Sequence, residues 1–122
     1  MRNATFRSQM HYLVTGEFIE EMLAGKTPEE SAMFSQQVVK PSLEALWKHA
    51  EDKKIVGGVV AGAREATFII DVDSNAEVGR LLRSLPFWGA MRWTISPLQS
   101  FQSAIDQDRE AVQAMRAMVV GN

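Results

Sequence analysis

No cysteine occurs in this chain, and it has only two histidines. Without cysteine there are no disulfides, thiolate nucleophiles or Cys-ligated zinc, and nothing implies an oxidising compartment. Cytoplasm is the simplest reading of that absence, and because two isolated histidines make no convincing ligand set, no bound metal is expected. Long apolar runs are also missing. No segment approaches the roughly 20 apolar residues that cross a bilayer, and the opening MRNATFRSQM lacks the apolar centre of a signal peptide, so no membrane association is expected. There is no long basic run either. Thirteen Lys and Arg against fifteen Asp and Glu leave a formal charge of -2, which argues against nucleic acid as a partner. No internal repeat, low-complexity tract or Pro/Ser linker divides the chain.

What is present has the balance of a folded protein. Hydrophobic residues make up 46% and charged ones 23% of 122 residues, enough apolar surface for one core and too little chain for two domains. Residues 1–9 read as a flexible N-terminal arm, 10–98 as the domain, and 99–122 as a C-terminal helical extension.

Periodicity places the elements. In MHYLVTG, residues 10–16, Met10, Tyr12 and Val14 alternate with His11, Leu13 and Thr15, as in a strand. Thr27, Pro28 and Glu30 form a helix start with a capping box. Phe34, Val38, Leu43, Leu46, Trp47 and Ala50 then make an apolar stripe, and Pro41 predicts a kink or break near Val39 and Lys40. IVGGVVAGA and ATFIIDV flank Arg64 and Glu65 as a β-hairpin, where Gly57-Gly58 marks a bulge or close approach, not a phosphate loop. Ser74 and Glu77 form a second capping box, Val78, Leu81, Leu82 and Leu85 the stripe behind it, and Pro86 the stop. AMRWTIS, residues 90–96, alternates again, with Met91, Trp93 and Ile95 opposite Arg92, Thr94 and Ser96. A last helix over 99–118 carries Phe101, Ile105, Asp108, Val112, Met115 and Val119 on one stripe.

The order is βαββαβ, a ferredoxin-like α+β pattern with two helices on one face of a four-stranded sheet. Apolar and small residues on the other face predict a homodimer or larger homo-oligomer built there.

The stretch FIIDVDSNAEVGRLLRSLPFWGAMRWTISPL, residues 68–98, resembles the muconolactone isomerases, with a strand, DVDSN, an acidic helix start, LL, LP and a strand ending in PL. The resemblance implies a dimeric α+β barrel and a cofactor-free isomerase. Such an enzyme would shift a proton or double bond in a small carboxylated or lactone-like compound of aromatic degradation. At the positions of Arg92 and Thr94 the family carries acidic residues, and at Leu13 and Thr15 it carries His and Arg. Two alternatives therefore stand beside the isomerase: a noncatalytic ligand-binding or assembly module, and a cofactor-free monooxygenase of the same barrel superfamily.

Moving a proton beside a carbonyl needs a positioned acid or base and a group that holds developing negative charge. His11 is the candidate proton carrier, since histidine titrates near neutrality. Arg92 is the candidate anion clamp, with Glu17 or Asp71 as its structural alternative partners. Tyr12, Trp93 and Thr94 are candidate substrate contacts in a cavity between the sheet and its dimer partner. His49 is read as helix-end stabilisation, and Arg64 and Glu65 as solvated hairpin residues.

Overall fold

Alternation in the opening strand sets the two faces of the sheet. Strand β1 runs Met10–Phe18, burying Tyr12, Val14, Gly16 and Phe18 while His11, Leu13, Thr15 and Glu17 point the other way. The computed structural model describes residues 10–120, without the side chain of Val120, so the arm expected over 1–9 lies outside the described residues. Strands β2 (Ile55–Val59), β3 (Glu65–Val72) and β4 (Met91–Leu98) complete a four-stranded antiparallel sheet in the order β2-β3-β1-β4. With the intervening helices this gives βαββαβ, an α+β arrangement that fits a ferredoxin-like fold. β4 is an edge strand, which is why Pro97 can lie inside it opposite Tyr12.

The first helical segment starts where Thr27 places it. Thr27 Oγ1 accepts from the Glu30 N–H at 3.1 Å, and the Glu30 carboxylate accepts from the Thr27 N–H at 2.9 Å. The bond from the Thr27 backbone, followed by the one from its side chain, holds the Glu30 carboxyl below its ordinary range. Helix α1 (Pro28–Phe34) then continues through a π-turn, Ser35–Val39, into α2 (Lys40–Glu51). The break expected at Val39 and Lys40 is thus a widened turn: both keep helical dihedrals, and the Lys40 N–H reaches back five residues to the Ser35 carbonyl. Pro41 has no N–H to continue the tighter ladder, and the wider register accommodates that loss. Of the expected stripe, Leu46 is buried and Phe34, Val38 and Ala50 pack on the core, whereas Trp47 is exposed.

Ser74 caps α3 (Asn75–Arg83) by accepting from the Glu77 N–H at 3.3 Å. Its box differs from the first, because the Glu77 carboxylate bonds the Asp73 N–H at 3.2 Å, one residue before the cap. Val78, Leu81, Leu82 and Leu85 join Tyr12, Val14, Phe68, Ile70 and Leu46 in a single core between the sheet and these helices. Across from Gly16 lies Trp93, whose ring occupies the space a Cβ at residue 16 would need.

Ser42 fastens the helical rod to the rest. It is fully buried; its hydroxyl donates to the Val38 carbonyl at 2.7 Å and accepts from the Phe87 N–H at 2.8 Å. Ser42→Ala leaves that N–H buried without a partner, a loss of about 1–3 kcal/mol. Urea denaturation checks it, and an unchanged midpoint would contradict the role given to the hydroxyl.

The C-terminal helix α4 runs Phe101–Val120, close to the span expected from its stripe. Phe101 is 90% exposed, and Ile105, Met115, Met118 and Val119 are exposed as well. Among the described residues no helix is long and apolar enough to cross a membrane.

Candidate functional site

The five residues nominated from the sequence do not meet in one place. Strand parity puts His11, Thr94 and Arg92 on the uncovered face and Tyr12 and Trp93 on the helix-covered face. Tyr12 is only 6% exposed, and its hydroxyl donates to the Asn75 side-chain oxygen. The Trp93 Nε1–H donates to the Trp88 carbonyl at 3.0 Å, and the ring stands edge-on to Phe87. Both aromatics therefore serve the interior side, away from any pocket that a sheet-to-sheet dimer would enclose. His11 and Arg92 share a face but not an end of it. His11 faces Leu98 in β4, whereas Arg92 faces Glu17, six residues along β1, a separation of about 20 Å at 3.4 Å per residue. Within one copy of the chain, one small molecule cannot touch both His11 and Arg92. Each has its own carboxylate: His11 Nε2 lies 3.4 Å from Asp71 Oδ1, and Arg92 Nη1 3.6 Å from Glu17 Oε1. Thr94 sits opposite Thr15, two residues from Arg92.

An apolar cavity lies on the covered side of the sheet. It has a volume of about 310 Å³ and opens between the helical rod and the N-terminal end of β3. Phe18, Phe34, Val39, Leu43, Phe87 and Met91 give it an apolar wall. Ser31 and Ser35 add hydroxyl-bearing positions, and Ser35 and Val39 bound the π-turn. Arg64 and Glu65 lie at the mouth and also line an adjoining polar cleft of about 330 Å³ together with Glu17, Glu20, Glu21 and Arg92.

At that mouth Arg64 is held on two sides. Its Nη1 is 2.9 Å from Glu20 Oε1, and its guanidinium stands 5.8 Å from the centroid of the Phe18 ring. Glu65 alternates with buried Ala66 and pairs with Glu17, so its side chain belongs to the uncovered face. From the sequence, Arg64 and Glu65 read as solvated hairpin residues. Their position is fixed by the Phe18 N–H bond to the Arg64 carbonyl at 3.0 Å and by the short 3-10 turn Glu20–Leu23, neither of which has a signature in the sequence. Among the described residues no three His, Asp or Glu side chains gather so as to hold a metal ion.

Compared with known proteins, the chain matches no family model and no curated protein.

Proposed function

We propose that this chain is a muconolactone isomerase-like protein that takes a small lactone or carboxylated compound into the cavity between rod and sheet and shifts a proton or double bond in it without a cofactor. The observation that carries the reading is the apolar cavity of about 310 Å³ with the Arg64 guanidinium at its mouth. That volume suits a small ligand, and a mostly apolar wall with few polar groups is the usual make-up of such sites. The apolar wall takes the ring or chain of the compound. Arg64 binds its carboxylate and stabilises the negative charge that develops on the carbonyl oxygen. Glu20, ion-paired with Arg64 in the adjoining polar cleft, is the carboxylate assigned to carry the proton. Four carboxylates against two guanidinium groups line the adjoining cleft, so a ligand with several negative charges is repelled.

Isomerisation of muconolactone followed by ultraviolet absorbance tests this. Arg64→Gln is expected to lower kcat/KM roughly 10- to 150-fold, the equivalent of about 1.5–3 kcal/mol for a hydrogen bond to a charged group, while the melting temperature stays put. Equal activity in the variant would remove Arg64 from the site. A second reading, a ligand-binding module without turnover, is favoured by the lining itself, whose ionisable residues are Arg64 and Glu65, the latter with its side chain on the uncovered face. Lactone binding by calorimetry with no turnover in the wild type establishes that reading and sinks the isomerase.

We further infer a homodimer in which a second copy covers the open sheet face, as in a dimeric α+β barrel. Val56, Ile69 and Leu13 stand side by side there across β2, β3 and β1, all exposed. Burial of such a row against its own copy removes an apolar patch from water. The apolar stripe of α4 is assigned to the same assembly, since most of a helix's stability in a protein comes from packing its apolar face.

A further inference from the structure

At the other end of the helical layer lies a cleft of about 280 Å³ lined by His49, Lys54, Val72, Glu77, Arg80 and Leu81. It is far from the cavity described above: Lys54 precedes β2 and Val72 closes β3, whereas the opposite ends of those strands, Val59 and Glu65, line the first cavity. Three separate pieces of chain supply its cationic or protonatable groups: the last turn of α2, the turn after it, and α3.

The two cations are not held by ion pairs. Among the described residues no carboxylate forms an ion pair with Lys54 or Arg80. Glu77 is the acidic group on the rim, and its Oε2 is engaged by the Asp73 N–H. Burial, and after it the charge of Lys54, hold the His49 imidazole below its ordinary range, with Asp52 a weaker opposing influence. Asp52 itself lies 3.4 Å from Lys48.

The backbone fixes Lys54 beside His49. The Lys54 N–H bonds the His49 carbonyl at 2.9 Å, and the Lys53 N–H bonds the Ala50 carbonyl at 3.0 Å, the paired bonds that end a helix through a left-handed residue. That residue is Lys53, at φ 61°, where glycine is the usual occupant. On its other side the Lys54 carbonyl accepts from the Asp71 N–H at 3.0 Å, tying the turn to β3.

We propose that this cleft binds a small tetrahedral oxyanion of the phosphate class, held by Lys54 and Arg80 with His49 as a proton-linked third donor. Two cations outside any ion pair, with an imidazole beside them, suit a dianion. The groups that face the imidazole are Lys54, Asp52, Glu77 and Arg80. A bound dianion adds negative charge among them and raises the His49 pKa, so binding takes up a proton. Affinity therefore rises as pH falls through the His49 titration and is flat above it.

The test is a proton NMR titration of His49 in the full chain with sodium sulfate, against sodium chloride at equal ionic strength; sulfate keeps its charge across the histidine range. The expected result is an upward shift of the His49 pKa with sulfate alone, saturable in sulfate. Lys54→Gln and Arg80→Gln each weaken sulfate binding about tenfold or more, the effect of losing one hydrogen bond to a charged group. His49→Gln retains binding at high pH and loses its pH dependence. Inorganic phosphate and glycerol phosphate as further arms separate the two sources of the group: a tighter phosphomonoester marks a phosphorylated metabolite, a tighter inorganic ion marks free phosphate. A His49 titration indifferent to sulfate, or Lys54 and Arg80 variants that bind like the wild type, would overturn the proposal.

Discussion

Gly57→Ala is expected to destabilise the fold by about 2–6 kcal/mol, combining roughly 1–3 for overpacking with roughly 1–3 for a side chain at an unfavourable backbone position. Gly57 lies in β2 opposite Phe68, at φ +157°, where L side chains are rare. A Cβ there would overlap the Thr67 carbonyl oxygen and stand 2.5 Å from Phe68 Cα. Both obstacles are backbone of the neighbouring strand, so no side chain can swing away to relieve the contact. The strands must part instead. Ile55, whose side chain is buried at the start of β2, then loses its place in the core. Gly58 is the control, since nothing lies within 4 Å of a Cβ at that position. Chemical denaturation of the two alanine variants reads the difference, and similar midpoints for both would contradict the close approach.

Adjacent isoleucines on opposite faces of β3 give the second result. Ile70 is 0% exposed and Ile69 39% exposed. Ile70→Ala removes three carbons from the middle of the core, beside Val14 and Phe68, and is expected to cost about 2–5 kcal/mol because the close-packed surroundings collapse only partly into the space. Ile69→Lys is expected to leave the monomer folded, since its side chain sits on the open face, and to abolish dimerisation by placing two like charges in the proposed interface. Denaturation and analytical ultracentrifugation together separate these effects. A wild-type protein that sediments as a monomer at micromolar concentration, or an Ile69→Lys variant that remains a dimer, sinks the assignment of a second copy to that face. The same sedimentation on a chain ending at Pro97 reads the contribution of α4: an unchanged dimer and melting temperature would show that its apolar stripe packs on nothing in the assembly.

Local chemistry made much of the fold readable before any coordinates. Thr27 and Ser74 announce helix starts because a free N–H at a helix end needs a nearby oxygen, a demand settled within four residues. The alternation in MHYLVTG and AMRWTIS follows from the two-residue period of a pleated strand, and the structure keeps every parity assigned to it. That parity already placed Tyr12 opposite His11 and Trp93 opposite Arg92, so a site drawing on all five candidates conflicted with the alternation itself. Pro41 signalled disturbance in the rod, but whether a helix breaks or widens depends on which carbonyl the following N–H groups reach, and packing chooses between them. The six-residue offset between His11 and Arg92 is a matter of register across β1 and β4, which only the paired strands define. Arg64 came to the cavity mouth through the backbone bond to Phe18 and the contact with Glu20, 44 positions away in the chain. Period and capping are short-range and so belong to the sequence. The cavity, its mouth and the basic cleft are products of contacts between distant segments, and so belong to the tertiary structure.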